Sequence, residues 1–345
     1  MHATGSLEET LRRAAARTAS FFYKCWGFGE AIAALGLLAA ERVLGEGRVD
    51  SGYRAAVEEL FARWWAKRGG QPIFEDHVTP GVPLLLLARD EPRWMEVAFA
   101  VARLYREFPT QRAVPVHRPD LGAWASQVWV DCLYTDGAFL ALLARMTGEQ
   151  SWEDLACEQA LAYIGVLWDE TSRLFFHSYD TRAARPNAIR RGRGNGWALL
   201  GLVDLLRFLR PDHPARGRLV AVVRRQVDAL VALQHVGGHW HTILDRPDTY
   251  LEHPVAAMMA WAIPQAVRLG LVPESALVAA LRAFEATLAA TDAEGNLTGV
   301  SEGTPAGHVA TYATRPTGIF PWGQGPLLLA LADRLSPDRV WEGLP

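Results

Sequence analysis

The amino-acid sequence predicts an all-α fold made of six helix hairpins stacked around an axis. Three observations carry this. Apolar residues recur at steps of three and four along most of the chain, alternating stretches are scarce, and helical segments come in pairs joined by short turns. In residues 50–68, Tyr53, Val57, Leu60, Phe61 and Trp64 form one helical face, and Asp50 or Ser51 is placed to cap its start. Residues 218–234 repeat the pattern with Leu219, Val223, Val227 and Leu230, and Gly237 and Gly238 stop it. Ser151 and Asp154 resemble a capping box before residues 155–164. The same reading predicts about twelve helices: 6–24, 27–44, 50–68, 80–89, 91–107, 130–147, 151–166, 195–209, 215–235, 252–269, 274–290 and 322–335. Residues 174–177 and 238–243 read as short strands within loops. Stacked hairpins form an open solenoid or close into a ring, and a closed ring brings its loops to one end. The long connections 108–128, 168–194, 236–251 and 291–321 are rich in Trp, His, Arg and Asp, the composition expected of functional loops. No linker or low-complexity stretch divides the chain, so residues 1–345 read as a single domain.

Composition narrows the function. Half of the 345 residues are apolar and 21% are charged, enough for a large core and incompatible with wholesale disorder. The 35 basic and 38 acidic residues leave a net charge of −3, which argues against a nucleic-acid partner. All but two of the basic residues are arginine, the better residue for forked carboxylate contacts. The three cysteines, Cys25, Cys132 and Cys157, form no CxxC pair, which speaks against a disulfide framework or structural zinc. The first 40 residues show no basic stretch leading into an apolar one, and residues 31–40 are too short to span a bilayer. A cytoplasmic protein without a membrane partner is expected. Thirteen tryptophans fill cores and also build platforms for sugar rings.

Several runs are candidates for chemistry. Asp131, in Val-Trp-Val-Asp-Cys-Leu-Tyr, is a carboxylate inside an apolar stretch opening a helix. It is either a helix N-cap or a partly desolvated acid with a raised pKa, shielded by Trp129. Glu75-Asp76-His77 places acids before another helix. It is either a solvated turn or one half of an acid/base pair whose mutual repulsion separates the two pKa values. In Arg191-Gly-Arg193-Gly-Asn195-Gly-Trp197 the glycines allow close backbone approach, Arg193 is suited to fork onto a carboxylate and Trp197 to stack on a ring. A flexible glycine turn is the plain alternative, and neither a P-loop nor a dinucleotide loop fits. His177-Ser-Tyr-Asp and His239-Trp240-His241 are polar-aromatic loop clusters. His239 and His241 have the spacing of two metal ligands but no identifiable third, so no metal is expected. Loop histidines that bond backbone are the simpler reading.

The order of these runs, continued by Gly-Thr-Pro-Ala-Gly-His and Pro-Trp-Gly-Gln-Gly-Pro-Leu, resembles the unsaturated glucuronyl and rhamnogalacturonyl hydrolases. These are glycoside hydrolase families 88 and 105, with family 105 the nearer likeness, and the resemblance runs from Trp26 to Leu335. It implies an (α/α)6 barrel and removal of a Δ4,5-unsaturated uronic acid from oligosaccharides left by polysaccharide lyases. It also implies Asp131 as acid/base and Asp76 as second acid, with Trp129, His177, Arg193, Asn195, Trp197, His77, Trp240 and His241 around the sugar. The implied reaction hydrates the vinyl ether, needs no cofactor, and asks for a carboxyl that is neutral beforehand. Arg193 or a histidine would hold the uronate carboxylate. Three departures stand out: Arg191 where the family has Trp, a shorter stretch between His177 and Arg193, and His253-Pro254 in place of a small hydroxyl residue. An extra arginine at the mouth favours a second carboxylate or a sulfate. Two other readings keep the helical fold: an inverting glycosidase that uses two acids on saturated glycosides, and a non-catalytic carbohydrate-binding or helical-scaffold protein.

Overall fold

The computed structural model describes residues 4–21, 23, 27–45, 52–75, 81–111, 114–337, 339–342 and 344, with only the backbone of 4–6. In chain order the helices are α1 (Thr4–Ala19), α2 (Phe28–Leu44), α3 (Tyr53–Arg68), α4 (Val82–Ala88), α5 (Arg93–Glu107), α6 (Cys132–Thr135) and α7 (Gly137–Thr147). Then come α8 (Ser151–Leu167), α9 (Gly192–Phe208), α10 (Arg216–Ala232), α11 (His253–Arg268), α12 (Leu277–Ala289), α13 (Val309–Ala313) and α14 (Pro321–Leu335).

Six of these helices form an inner ring. α2 touches α4, α4 touches α7, α7 touches α9, α9 touches α11, α11 touches α14, and α14 returns to α2. Outside them, α1 lies on α14 and α2, α3 on α2, α5 on α4, α8 on α7, α10 on α9 and α12 on α11. The fold is an (α/α)6 toroid, and the contact of α14 with α2 is what closes it. Periodicity separates the two layers. Outer helices bury one stripe: α3 buries Val57, Leu60, Phe61 and Trp64, and α10 buries Leu219, Val223, Val227 and Leu230. Inner helices are enclosed on all sides, as in the run Ala31–Ala40 of α2, and so carry small or aliphatic residues around their whole circumference.

The expected helices are present, with three revisions. The segment 130–147 is broken at Asp136 into α6 and α7. The short helix α13 was not anticipated. α9 begins at Gly192, so the glycine run is the first turn of an inner helix rather than a flexible loop. The reason is space. A Cβ at Gly192 would lie 2.7 Å from the His241 carbonyl, one at Gly194 would lie 2.8 Å from Val130, and one at Gly196 would strike Met258. Of the two expected strand regions, Leu174–Phe175 pairs with Trp168–Asp169. Residues 238–243 make only isolated bridges, Arg191 with Ile243 and His241 with Leu251.

Candidate active site

The inner helices α2 and α9 and the short helix α6 begin at the same end of the toroid, and their first turns line a cavity of ≈ 380 Å³. That size suits one sugar ring and part of a second. Its wall includes Phe28 and Glu30 from α2, Asp131 and Tyr134 around α6, Arg191 at the N-cap of α9, and Arg193 and Trp197 from α9. Loops add Glu75, His117, Arg118, Trp124, Trp129 and Thr304.

A small antiparallel sheet sets Asp131 in place. Strand Gln127–Trp129 pairs with Ser178–Asp180 in the register Trp129↔Ser178. The next backbone bond, Val130 N–H to His177 O at 3.0 Å, brings the residues at the two strand ends together. His177 Nε2 lies 3.4 Å from Asp131 Oδ2. Asp131 occupies the N-cap position of α6 yet makes no side-chain capping bond, and a fifth of its side chain stays exposed on the cavity. Burial alone would raise the pKa of Asp131. The His177 imidazole and the Arg191 charge outweigh burial and hold the carboxyl below its usual range. This corrects the expected raised pKa: the protein's own groups keep Asp131 ionised.

His177 is fully buried, and its Nδ1 is 2.6 Å from the Tyr312 hydroxyl. Burial lowers its pKa against the opposing pull of Asp131, and it stands behind Asp131 rather than on the cavity wall. Trp129 shares the cavity wall with Asp131. Its ring stacks flat on His117, with centroids 4.0 Å apart and planes 6° apart, and its Nε1 donates to Gln127. Burial pushes His117 down to about 3, so this platform carries no charge. Trp197 lines the cavity next to Tyr134, with ring centroids 4.9 Å apart.

Other expected contacts are engaged elsewhere. Arg193 donates from Nη1 to Glu252 Oε1 at 2.7 Å and to Ser301 O and Oγ, both at 2.8 Å, and from Nη2 to Glu302 O at 2.9 Å. That fork holds the protein together and is not open to a substrate carboxylate. Asn195 is sealed: its Oδ1 accepts from Phe175 N–H, and its Nδ2 donates to Phe175 O, both at 2.9 Å. It secures the loop that carries His177 and does not reach the cavity. Trp240 is buried and donates to Leu230 O at 2.8 Å, and His241 Nδ1 lies 2.6 Å from Thr249 O. Neither lines the cavity. His239 stacks on His253 while His241 faces His235, so the two do not converge on one ion. Asp76 and His77 lie outside the described residues, whereas the adjacent Glu75 is on the cavity wall, paired with Arg68 at 3.2 Å and Arg118 at 3.7 Å.

Sequence reasoning missed Glu30, whose carboxyl burial raises, and the His117–Trp124 wall. The Trp- and His-bearing loop 108–128 is the sequence signal for the wall, whereas Glu30 has the pattern of any first-turn helix acid. Arg191, expected at the mouth, is only 2% exposed and sits beside Asp131 and His177.

The structure is thus a helical toroid with a carboxylate on an aromatic, arginine-bearing cavity at one end. The profile of glycosyl hydrolase family 88 matches residues 14–336, and the chain belongs to that family. A possible family 105 member from Salmonella enterica serovar Paratyphi A superposes with a TM-score of 0.86 at 23% identity, over 96% of this chain and 94% of that one. The unsaturated glucuronyl hydrolase of Bacillus sp. GL1 superposes with a TM-score of 0.74 at 16% identity, over 99% and 97% of the two chains. In sequence, the chain is 34% identical over 216 residues to the unsaturated rhamnogalacturonyl hydrolase YesR of Bacillus subtilis. That alignment spans 62% of this chain and 61% of the relative. Among the described residues no helix is long and apolar enough to cross a membrane.

Proposed function

We propose that the protein removes a Δ4,5-unsaturated uronic acid from the non-reducing end of lyase-generated oligosaccharides, with rhamnogalacturonan-type disaccharides favoured. The observation that carries this reading is Asp131, a carboxylate backed by His177 and open to a sugar-sized cavity walled by Trp129, Trp197 and arginines. Family membership and the names of the relatives support the substrate class.

In this reading Asp131, once protonated, delivers its proton to C4 of the vinyl ether. Positive charge develops at C5 and the ring oxygen. Asp131, now a carboxylate, takes a proton from the water that adds at C5, and the resulting hemiketal opens and releases the neighbouring sugar. His177, held by Tyr312, positions the carboxylate. Trp197 and the Trp129–His117 stack supply apolar faces for the sugar rings. Asp76 is assigned as the second acid on the strength of the resemblance alone, with His77 beside it. The reaction draws on no cofactor, and the cytoplasm is the proposed compartment.

The test is loss of the ultraviolet absorbance of the C4=C5 bond on a panel of unsaturated galacturonyl and glucuronyl disaccharides, with Asp131→Asn as control. Turnover by the wild type alone supports the reading, and the ranking names the leaving sugar. Turnover of saturated glycosides only would replace it with an inverting glycosidase.

A further inference from the structure

We infer that Arg191 is the anchor for the carboxylate of the bound uronic acid and sets the preference of the site for an anionic sugar. This deepens the proposed function and rests on it. Among the described residues three arginines line the cavity. Arg118 forks onto Asp120, at 2.8 Å through Nε and 2.7 Å through Nη2. Arg193 is committed to Glu252, Ser301 and Glu302. Arg191 differs. Its Nη1 lies 3.3 Å from His177 Nε2 and 3.5 Å from Thr304 O, while its Nε and Nη2 are buried with no hydrogen-bond partner among the described residues. Leaving charged donors buried and unmet is costly, and the Nε/Nη2 edge of a guanidinium is the edge that grips a carboxylate with two parallel bonds.

The position suits the chemistry. Arg191 Nη1 and Asp131 Oδ2 approach the same atom, His177 Nε2, at 3.3 and 3.4 Å. The uronate carboxylate is carried on C5, one bond from the C4 that accepts the proton. A carboxylate held by Arg191 therefore brings C4 toward Asp131. It also acts on charge. Asp131 faces His177, Arg191 and His117, with Arg193 and Tyr312 further off, and burial works against its ionised form while His177 and Arg191 favour it. An anion on Arg191 offsets the cation that opposes protonation of Asp131.

The test compares an unsaturated uronyl disaccharide with its methyl ester, using wild type, Arg191→Gln and Arg191→Lys. The wild type should prefer the acid in kcat/KM by on the order of 30- to 1000-fold. Arg191→Gln should collapse the acid-to-ester ratio toward one, and Arg191→Lys should restore part of it. Equal use of acid and ester by the wild type, or equal losses on both in Arg191→Gln, overturns the inference. If Arg191→Gln does not fold, Arg191→Lys decides: an acid-to-ester ratio equal to that of the wild type overturns the inference. Calorimetric binding of the acid to Asp131→Asn, with and without Arg191→Gln, reads the anchor apart from turnover: unchanged affinity overturns it. Absence of wild-type turnover on every unsaturated substrate would sink the hydrolase reading, and this binding comparison would still decide the anchor.

Discussion

Arg193 and Glu252 form a 2.7 Å salt bridge in which both side chains are buried. The same carboxylate accepts from Ser301 Oγ at 2.6 Å and Thr242 Oγ1 at 2.8 Å. One ion pair thus ties the start of α9 to the loop before α11 and to the loop around residue 301. The start of α9 and the loop after residue 301 both line the cavity, so the pair, anchored behind them, serves the site by shaping it.

Breaking that pair from one side strands a buried charge. Glu252→Ala should destabilise the protein by about 3–5 kcal/mol. Glu252→Gln, which keeps the hydrogen-bonding shape, should cost less. Urea denaturation checks both, and a loss under about 1 kcal/mol for Glu252→Ala would mean that Arg193 finds other partners or water.

Asp131→Asn should abolish most turnover while leaving sugar binding in place. The amide keeps the size of the carboxyl but cannot shuttle a proton, and general acid–base groups contribute about 10²–10⁴-fold. Steady-state rates paired with calorimetric binding measure the split. Loss of both binding and turnover would instead assign Asp131 a structural role.

Asp136, at the break between α6 and α7, gives the protein a pH-dependent stability. Burial raises its pKa to about 8, against the lowering effect of hydrogen bonds from Thr135 and Tyr163. The folded state therefore holds a proton that the unfolded chain releases near pH 4. The stability linked to this proton is complete below about pH 4 and is lost as pH rises toward 8, with a slope of at most about 1.4 kcal/mol per pH unit. Urea midpoints of wild type and Asp136→Asn between pH 5 and 8 check this: the variant should show the flatter dependence. Parallel curves would mean that Asp136 is ionised in the fold.

Gly201 lies where α9 crosses α6. A Cβ there would strike the backbone of Leu133 and Tyr134, which has no rotamer with which to yield. Gly201→Ala should cost about 1–3 kcal/mol as overpacking. It should also lower kcat, because the displaced helix α6 begins next to Asp131. A thermal melt and a rate measurement on the same preparation test the coupling, and an unchanged rate at lowered stability would break it.

Much of the architecture was legible in the residues because helical periodicity is a local property. Val57, Leu60, Phe61 and Trp64 announce the buried stripe of α3 without reference to any other part of the chain. Asp131 was legible as a candidate because a carboxylate inside an apolar run demands an explanation. Arg193 and Arg191 were not separable by the same means. They are two residues apart in the same glycine-rich run, and the sequence favoured Arg193 as the open fork.

What the sequence by itself determined is the set of helices, their pairing and the short list of polar residues set among apolar ones. Tertiary structure alone decided which of those residues remain open to a ligand. Arg193 is matched by Glu252 and Ser301, 59 and 108 residues away, and Asn195 by Phe175 twenty residues away. Among the described residues, Arg191 keeps two donors without a hydrogen-bond partner. Hydrogen-bonding capacity is used up by contacts between distant segments, and no local pattern records that use.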